Sequence, residues 1–211
     1  MKVTPISFNG TNIVAIDEGR KTQTRRIAKE FAGRDDLDAI LRRFPDQNGC
    51  PFGEPGDLLY VKEDAFMWCE RRPNGTTPTG RPKWLYVPMR DAPIHYAADG
   101  PKPTTSIVSP DTGNAWGWRH KVARFMPRWA SRTTLRLTAV RIERLQKITE
   151  RDAVAEGCGS PVTRDCKVPK FIRLWESLHG LSSWPENPHV WVLTFKPIKA
   201  NVDDVIARGL S

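Results

Sequence analysis

The sequence lacks most of the patterns that would place it quickly. No apolar run approaches the ~20 residues that a membrane-spanning helix needs. The opening "MKVTPISFNG" has no apolar core of the secretory type. The expectation is therefore a cytoplasmic protein with no membrane partner. The four cysteines, Cys50, Cys69, Cys158 and Cys166, include no CxxC pair, which removes the spacing of zinc ribbons and redox pairs. In a reducing compartment they are free thiols. The four histidines form no HxH or HxxxH pair. No acidic cluster suits a two-metal site, so neither metal nor cofactor is expected. Hydrophobic residues reach only 39%, which permits a core of modest size.

What is present is positive charge. The 211 residues carry a net +9, with a pI of about 9.7. An excess of that size favours a polyanionic partner, with nucleic acid before an anionic surface. Eight tryptophans supply large apolar faces. Eighteen prolines and fifteen glycines imply many turns and argue against a helical bundle. Nothing in the sequence specifies an oligomeric state.

The pattern alternates short strands with a few helices. Residues 4–8 read as a strand. "NGTNIVAIDEGRK" reads as a short helix, with Thr11 as cap and Gly19 as stop. Residues 35–43 suit a second helix, with acids first and arginines last. "LLYVKEDAF" suits one strand, and "ERRPNGTTPTGRP" reads as loop. "KWLYVPM" and "IHYAA" suit a hairpin around "RDAP". Residues 133–144 are the clearest strand; a phase shift near Ala139 and Val140 predicts a β-bulge. "ITERDAVAEGC" reads as a helix with a Thr149/Asp152 capping box and Gly157 as its end. "VPKFIRLWESLHG" is amphipathic through Phe171, Leu174, Trp175 and Leu178. "HVWVLTFKPI" closes as a strand, and the tail adds a short helix. This order predicts an α+β fold: one domain over 1–211, a small and partly open β-barrel flanked by helices, elaborated by a loop-rich insertion at about 64–130.

Two basic stretches carry the functional readings. Residues 115–144 hold eight Lys or Arg and one acid, with Trp116, Trp118 and Trp129 among them. Cations neutralise phosphates and aromatics stack on unpaired bases. Arg128 and Arg132 could hold a phosphate and Trp129 a base. Equally, these tryptophans suit a core and these arginines a solvated face. The second stretch, "EGRKTQTRRI", gathers Arg20, Lys21, Arg25 and Arg26 at a helix-to-strand junction, suited to an anionic ligand or to a solvated turn.

"EGRKTQTRR" resembles the Gly-x-Lys-x-x-Thr-x-Arg motif of ASCH domains, a PUA-like superfamily, through Gly19, Lys21, Thr24 and Arg26. "FGEPGDLLYVKE" resembles the family's Pro-Gly-Asp turn feeding a strand. "LTAVRIERLQKITERDAVAEG" resembles its strand followed by a helix with a late acid, and "NPHVWVLTFKPI" its last strand. The motifs run in order through the whole chain. With "MPRWASR" before the late strand, the chain is most similar to the long ASCH proteins common in bacteriophages and prophages. The resemblance implies a PUA-like barrel with a cleft bordered by helices, and RNA or a modified nucleoside as partner. One compact branch hydrolyses N4-acetylcytidine with a Lys, a Thr and a Glu, which fall here on Lys21, Thr24 and Glu156. This chain is considerably longer, mostly between Asp57 and Arg132.

That set suits amide hydrolysis. A threonine hydroxyl is too weak a nucleophile alone, and a lysine of lowered pKa could take its proton. Arg20, Arg25 and Arg26 would press on that pKa, and Glu156 would protonate the leaving amine or bind the base edge. Lys21 and Thr24 meet only if residues 20–24 leave the strand geometry, because strand positions three apart face oppositely. Glu63, following a strand after the Pro-Gly-Asp turn, is a further cleft candidate. The competing readings are a non-catalytic RNA-binding module and a ribonuclease using the same cleft.

Overall fold

The computed structural model describes residues 1–31, 49–101, 103–104, 106–108, 115–159 and 166–209. The expected helix over 35–43 lies outside them. Among the described residues are ten strands: β1 (Val3–Ser7), β2 (Gln23–Ile27), β3 (Leu58–Lys62), β4 (Ala65–Thr76), β5 (Pro82–Pro88), β6 (Ile94–Tyr96), β7 (Ser106–Val108), β8 (Ala115–Lys121), β9 (Thr134–Arg144) and β10 (His189–Ile198). The same residues include four α-helices: α1 (Gly10–Asp17), α2 (Glu150–Ala155), α3 (Val168–His179) and α4 (Val202–Ala207). No helix among the described residues is long and apolar enough to cross a membrane.

The strands form two sheets, and the fold is mixed α+β. The first sheet runs β1-β3-β9-β10-β2, with β1 parallel to β3 and the other pairs antiparallel. Among the described residues no pairing joins its edge strands β1 and β2. β9 and β10 form its centre, and β10 is buried from His189 to Leu193. Alternation decides which side each residue serves. Trp191, Leu193 and Phe195 pack with Ile13 and Ile16 of α1, whereas Val190 and Val192 pack with Phe171 and Trp175 of α3. Burying a ring the size of Trp191 removes roughly 150–250 Å² from water, on the order of 4–6 kcal/mol of transfer free energy.

The bulge expected in the late strand is present, one residue earlier. Thr194 pairs with Ala139 and Phe195 with Leu137, so Thr138 is the extra residue. It returns Val140 and Ile142 to the face of Leu135 and Leu137, while Ala139 is exposed.

The second sheet, β5-β4-β8-β7 with β6 also on β4, occupies the segment expected to be loop-rich. That expectation is corrected. "ERRPNGT" continues β4, and β5 pairs with it from Cys69 to Thr76. Beyond Glu70 the β8 pairing stops, so Pro73 sits in a two-stranded ribbon, and the register slips between Pro73 and Thr76. A ribbon edge tolerates a missing N–H that a central strand does not. β5 and β6 do not pair with each other as expected; both pair with β4. Likewise "LLYVKEDAF" is split at Glu63 and Asp64, where the chain passes from one sheet to the other.

Local signals set the helices. Asn9, not Thr11, caps α1, its side chain accepting from Asn12 N at 3.0 Å. The Thr149/Asp152 capping box starts α2 as expected. α3 lacks a side-chain cap of its own. Instead the Glu150 carboxylate of α2 accepts from Lys167 N (2.6 Å) and Val168 N (3.3 Å). A carboxylate there complements the helix dipole and ties α3 to α2. Phe171 and Trp175, one turn apart, then bury against the sheet.

Candidate functional site

β2 is an edge strand, and the site lies along its open edge. Its alternating side chains face different helices. Thr24 and Arg26 pair with Leu193 and Trp191, on the α1 side; Arg25 pairs with Val192, on the α3 side. A cleft wraps this edge, from Asn12 of α1 to Phe171, Leu174, Trp175, Leu178 and His179 of α3. Lys21, Thr24, Arg25, Arg26 and Glu156 line it. It is narrow: about 330 Å³ counting its mouth, of which about 30 Å³ admits a water-sized group.

Lys21 enters because the chain leaves α1 in a tight turn. Glu18 closes the helix, Gly19 takes φ 73°, and Lys21 N donates to Ala15 O at 2.9 Å. Lys21 then forms an isolated antiparallel bridge with Glu156, and Thr22 N donates to Ala155 O at 2.8 Å. Lys21 therefore precedes β2 and escapes its alternation, which lets it share the cleft with Thr24. Gly157 permits this contact. Its φ is 89°, and a Cβ there would lie 3.2 Å from Ala15 Cβ and 3.4 Å from Lys21 Cβ.

Lys21 is 1% exposed and Glu156 3%. Lys21 Nζ donates to Glu156 Oε2 at 2.7 Å and to the Glu156 carbonyl at 2.9 Å. Glu156 Oε1 accepts from Arg25 Nη1 at 3.2 Å. Arg25 Nη1 also reaches Gln23 Oε1 (2.8 Å), and Nη2 reaches Glu143 Oε1 (2.7 Å) and Asp152 Oδ2 (3.3 Å). Arg141 bridges Glu143 and Asp152 at 3.1 Å each. Register explains the meeting. Arg25, Val192 and Arg141 align across three strands, and Glu143 is two residues from Arg141 on the same face. Burial pushes the Asp152 carboxyl up, but hydrogen bonds from Thr149 and the charges of Arg25 and Arg141 hold it below its ordinary value. Arg25 Nε is buried without a hydrogen-bond partner.

This network holds Lys21, Arg25 and Arg141 against Glu143, Asp152 and Glu156. Its three cations face three carboxylates, with Lys21 on Glu156 and Arg25 on all three. Arg20 does not contribute. It turns outward to Glu18, with Nη1 3.4 Å from Gly157 O. Arg26 does line the cleft; Nη2 donates to Ser7 O at 2.7 Å and the guanidinium lies 4.8 Å from the Phe8 ring centre. Burial lowers its pKa, against the pull of Glu156.

The remaining candidates lie elsewhere. Glu63, 2% exposed, and Arg132 meet each other. Arg132 Nε and Nη2 donate to the Glu63 carboxylate at 2.9 and 3.0 Å, and Nη1 and Nη2 to Asp99 at 2.7 and 2.9 Å. The guanidinium stacks 3.9 Å from the Tyr96 ring centre. Burial raises the Glu63 carboxyl despite Arg132. Neither lines the cleft; together they clamp the first sheet to the second. Arg128 pairs with Asp203, and Trp129 packs on Met67, Cys69, Met126 and Ala130. Asn201 holds their turn through the carbonyls of Arg128, Trp129 and Ser131 at 3.0, 3.2 and 2.7 Å.

Sequence reading missed Asn12, Glu143, Arg141 and His179. The i, i+2 spacing of Arg141 and Glu143 on a strand was the available signal. His179 stacks on Trp175 with ring centres 4.2 Å apart. Burial, then Arg26 and Lys29, lower its pKa below the ordinary 6.5. Among the described residues no group of three or more His, Cys, Asp or Glu could hold a metal ion. No protein-family model, curated protein or solved structure matches the chain.

Proposed function

We propose that the chain is an ASCH-type, PUA-like domain, with the second sheet as its insertion, that hydrolyses the amide of an N4-acylated cytidine or a related modified base. The observation that carries this reading is the buried contact of Lys21 Nζ with the Glu156 carboxylate at 2.7 Å, in a cleft that Thr24 also lines. Thr24, Lys21 and Glu156 border one cleft, and in this reading they act there as nucleophile, base and acid.

In this reading Glu156 takes a proton from Lys21, and the neutral amine takes the Thr24 hydroxyl proton as its oxygen attacks the acyl carbon. Glu156 returns its proton to the departing N4 amine, and water hydrolyses the acyl-threonine. Arg26 lies in the same cleft and favours negative charge on the tetrahedral oxygen. A base needs more room than the cleft offers, so Leu174, Leu178 and His179 must part to admit it.

The second reading is a binding module that holds a base without cutting, with a ribonuclease in the same cleft as its variant. Its favouring observation is that Lys21 already donates to two Glu156 oxygens. Incubation with N4-acetylcytidine, read by cytidine release, separates them. Turnover falls at least a hundredfold in Lys21→Ala, as for a lost general base. No turnover by the intact protein on a panel of acylated nucleosides sinks the enzyme reading. Cleavage of labelled RNA would instead support the ribonuclease.

A further inference from the structure

The second sheet carries a row of rings that the cleft does not use. In the register of β4 with β8, Phe66 stands opposite His120, Trp68 opposite Trp118 and Glu70 opposite Trp116. His95 of β6 flanks Phe66 on its other side. Strand alternation puts these side chains on one face. The opposite face sends Met67 and Cys69 into the core with Met126. Trp68 and Trp118 meet edge to face at 5.5 Å, and Phe66 lies 5.2 Å from His120 and 6.1 Å from His95. Phe66, Trp68, Trp116 and Trp118 are all half-buried, neither packed away nor fully solvated. Beside Trp68 and Trp118 lies a groove of about 450 Å³, completed by Met89, Pro93 and Asp91.

We propose that this face is a docking platform for single-stranded nucleic acid, whose unpaired bases stack on Trp68, Trp118 and Phe66. Aromatics on adjacent central strands of an antiparallel sheet are how sheet-type RNA readers hold two or three bases. β4 and β8 are the two central strands here. The chain as a whole carries +9, which draws a polyanion toward it, and Arg72 of β4 lies beside Glu70 on this face. On this face Glu70 pairs with Arg72 at 2.7 Å, and Asp64 lies 3.2 Å from His120 Nε2 and accepts from Ala123 N at 2.8 Å. Asp91, on the groove wall, can accept from the exocyclic amine of a base. A duplex hides its base faces, so the platform discriminates against it.

The platform stands whether or not the cleft is catalytic. The probes are oligouridylate and oligothymidylate dodecamers, read by intrinsic tryptophan fluorescence and anisotropy. Binding quenches the fluorescence, weakens as salt rises, and is not displaced by a duplex of equal length. Trp118→Leu weakens it roughly tenfold or more, while Trp118→Phe, which keeps a stacking ring, retains most of it. Ultraviolet cross-linking of a 5-bromouracil oligonucleotide to the unaltered protein marks Trp68 or Trp118, which tests the platform even if Trp118→Leu fails to fold. Turnover of N4-acetylcytidine, where present, is unchanged in Trp118→Phe. Absence of binding, equal affinity in a folded Trp118→Leu, or cross-links confined to the β2 cleft overturns the proposal. So does self-association that Trp118→Leu abolishes, which would make a second copy the occupant.

Discussion

Lys21 and Glu156 are joined three times over: by a backbone bridge, by Nζ to Oε2 at 2.7 Å and by Nζ to the Glu156 carbonyl at 2.9 Å. The two residues lie 135 positions apart. The contact locks the entry to β2 onto the end of α2. It serves structure and, in our reading, chemistry, and the two roles can be separated.

Removing one partner of a buried ion pair leaves an uncompensated charge, at a cost of about 3–5 kcal/mol. Glu156→Gln should therefore lower the urea midpoint strongly. Lys21→Met with Glu156→Leu should recover part of that loss, because neither charge then remains. Activity should be absent from both. Denaturation curves beside cytidine release test this; a stable, active Glu156→Gln would refute both roles.

Gly157→Ala tests the close approach of the backbones. A left-handed φ for alanine costs on the order of 1–3 kcal/mol. The 3.2 Å contact with Ala15 Cβ adds to it. A lowered melting temperature is expected, with Lys21 shifted and turnover reduced beyond the loss of folded protein.

Arg132→Ala would strand the buried Glu63 carboxylate at the junction of the two sheets. We expect destabilisation of roughly 3 kcal/mol, since the loss is that of a bidentate partner from a buried acid. Arg132→Ala with Glu63→Gln should be milder than Arg132→Ala alone, as read by chemical denaturation.

His179 sets an acid limit. Its folded-state pKa lies below the ordinary 6.5, so the unfolded chain takes up the proton first. Its contribution is present above pH 6.5 and is lost as pH falls through the folded value. His179→Gln should flatten the stability profile as pH falls below 6.5. An unchanged slope there would count against it.

Thiol accessibility tests the packing directly. Cys50, Cys69 and Cys158 are buried and Cys166 is exposed. Burial, with Glu156 nearby, pushes the Cys158 thiol up to about 11, and the thiolate is the reactive form. One thiol per native chain should react quickly with an aromatic disulfide, and all four after unfolding.

Much of the local structure was legible in the sequence. The capping box at Thr149, the stop at Gly157, the apolar face of α3 and the extent of β10 depend on neighbours within a few positions, and their signals are local. The bulge was legible within one residue because a change of strand phase is written in the hydrophobic pattern. The second sheet was legible only in part: β5 and β6 read as strands, but the Pro- and Gly-bearing second half of β4 read as loop, and pairing with β5 made it a strand.

By itself, then, the sequence determined the four described helices, the late strands, the excess positive charge and the presence of a Lys, a Thr and a Glu at suggestive positions. The tertiary structure alone decided which of the basic residues share a site. Arg25 and Arg26 are adjacent, yet strand alternation sends one into a carboxylate network and the other to Phe8 and Ser7. Glu63 and Arg132 looked like ligand contacts until they met each other. Charge attracts over a few ångströms of space, and the chain's spacing does not record which distant carboxylate the fold will bring there.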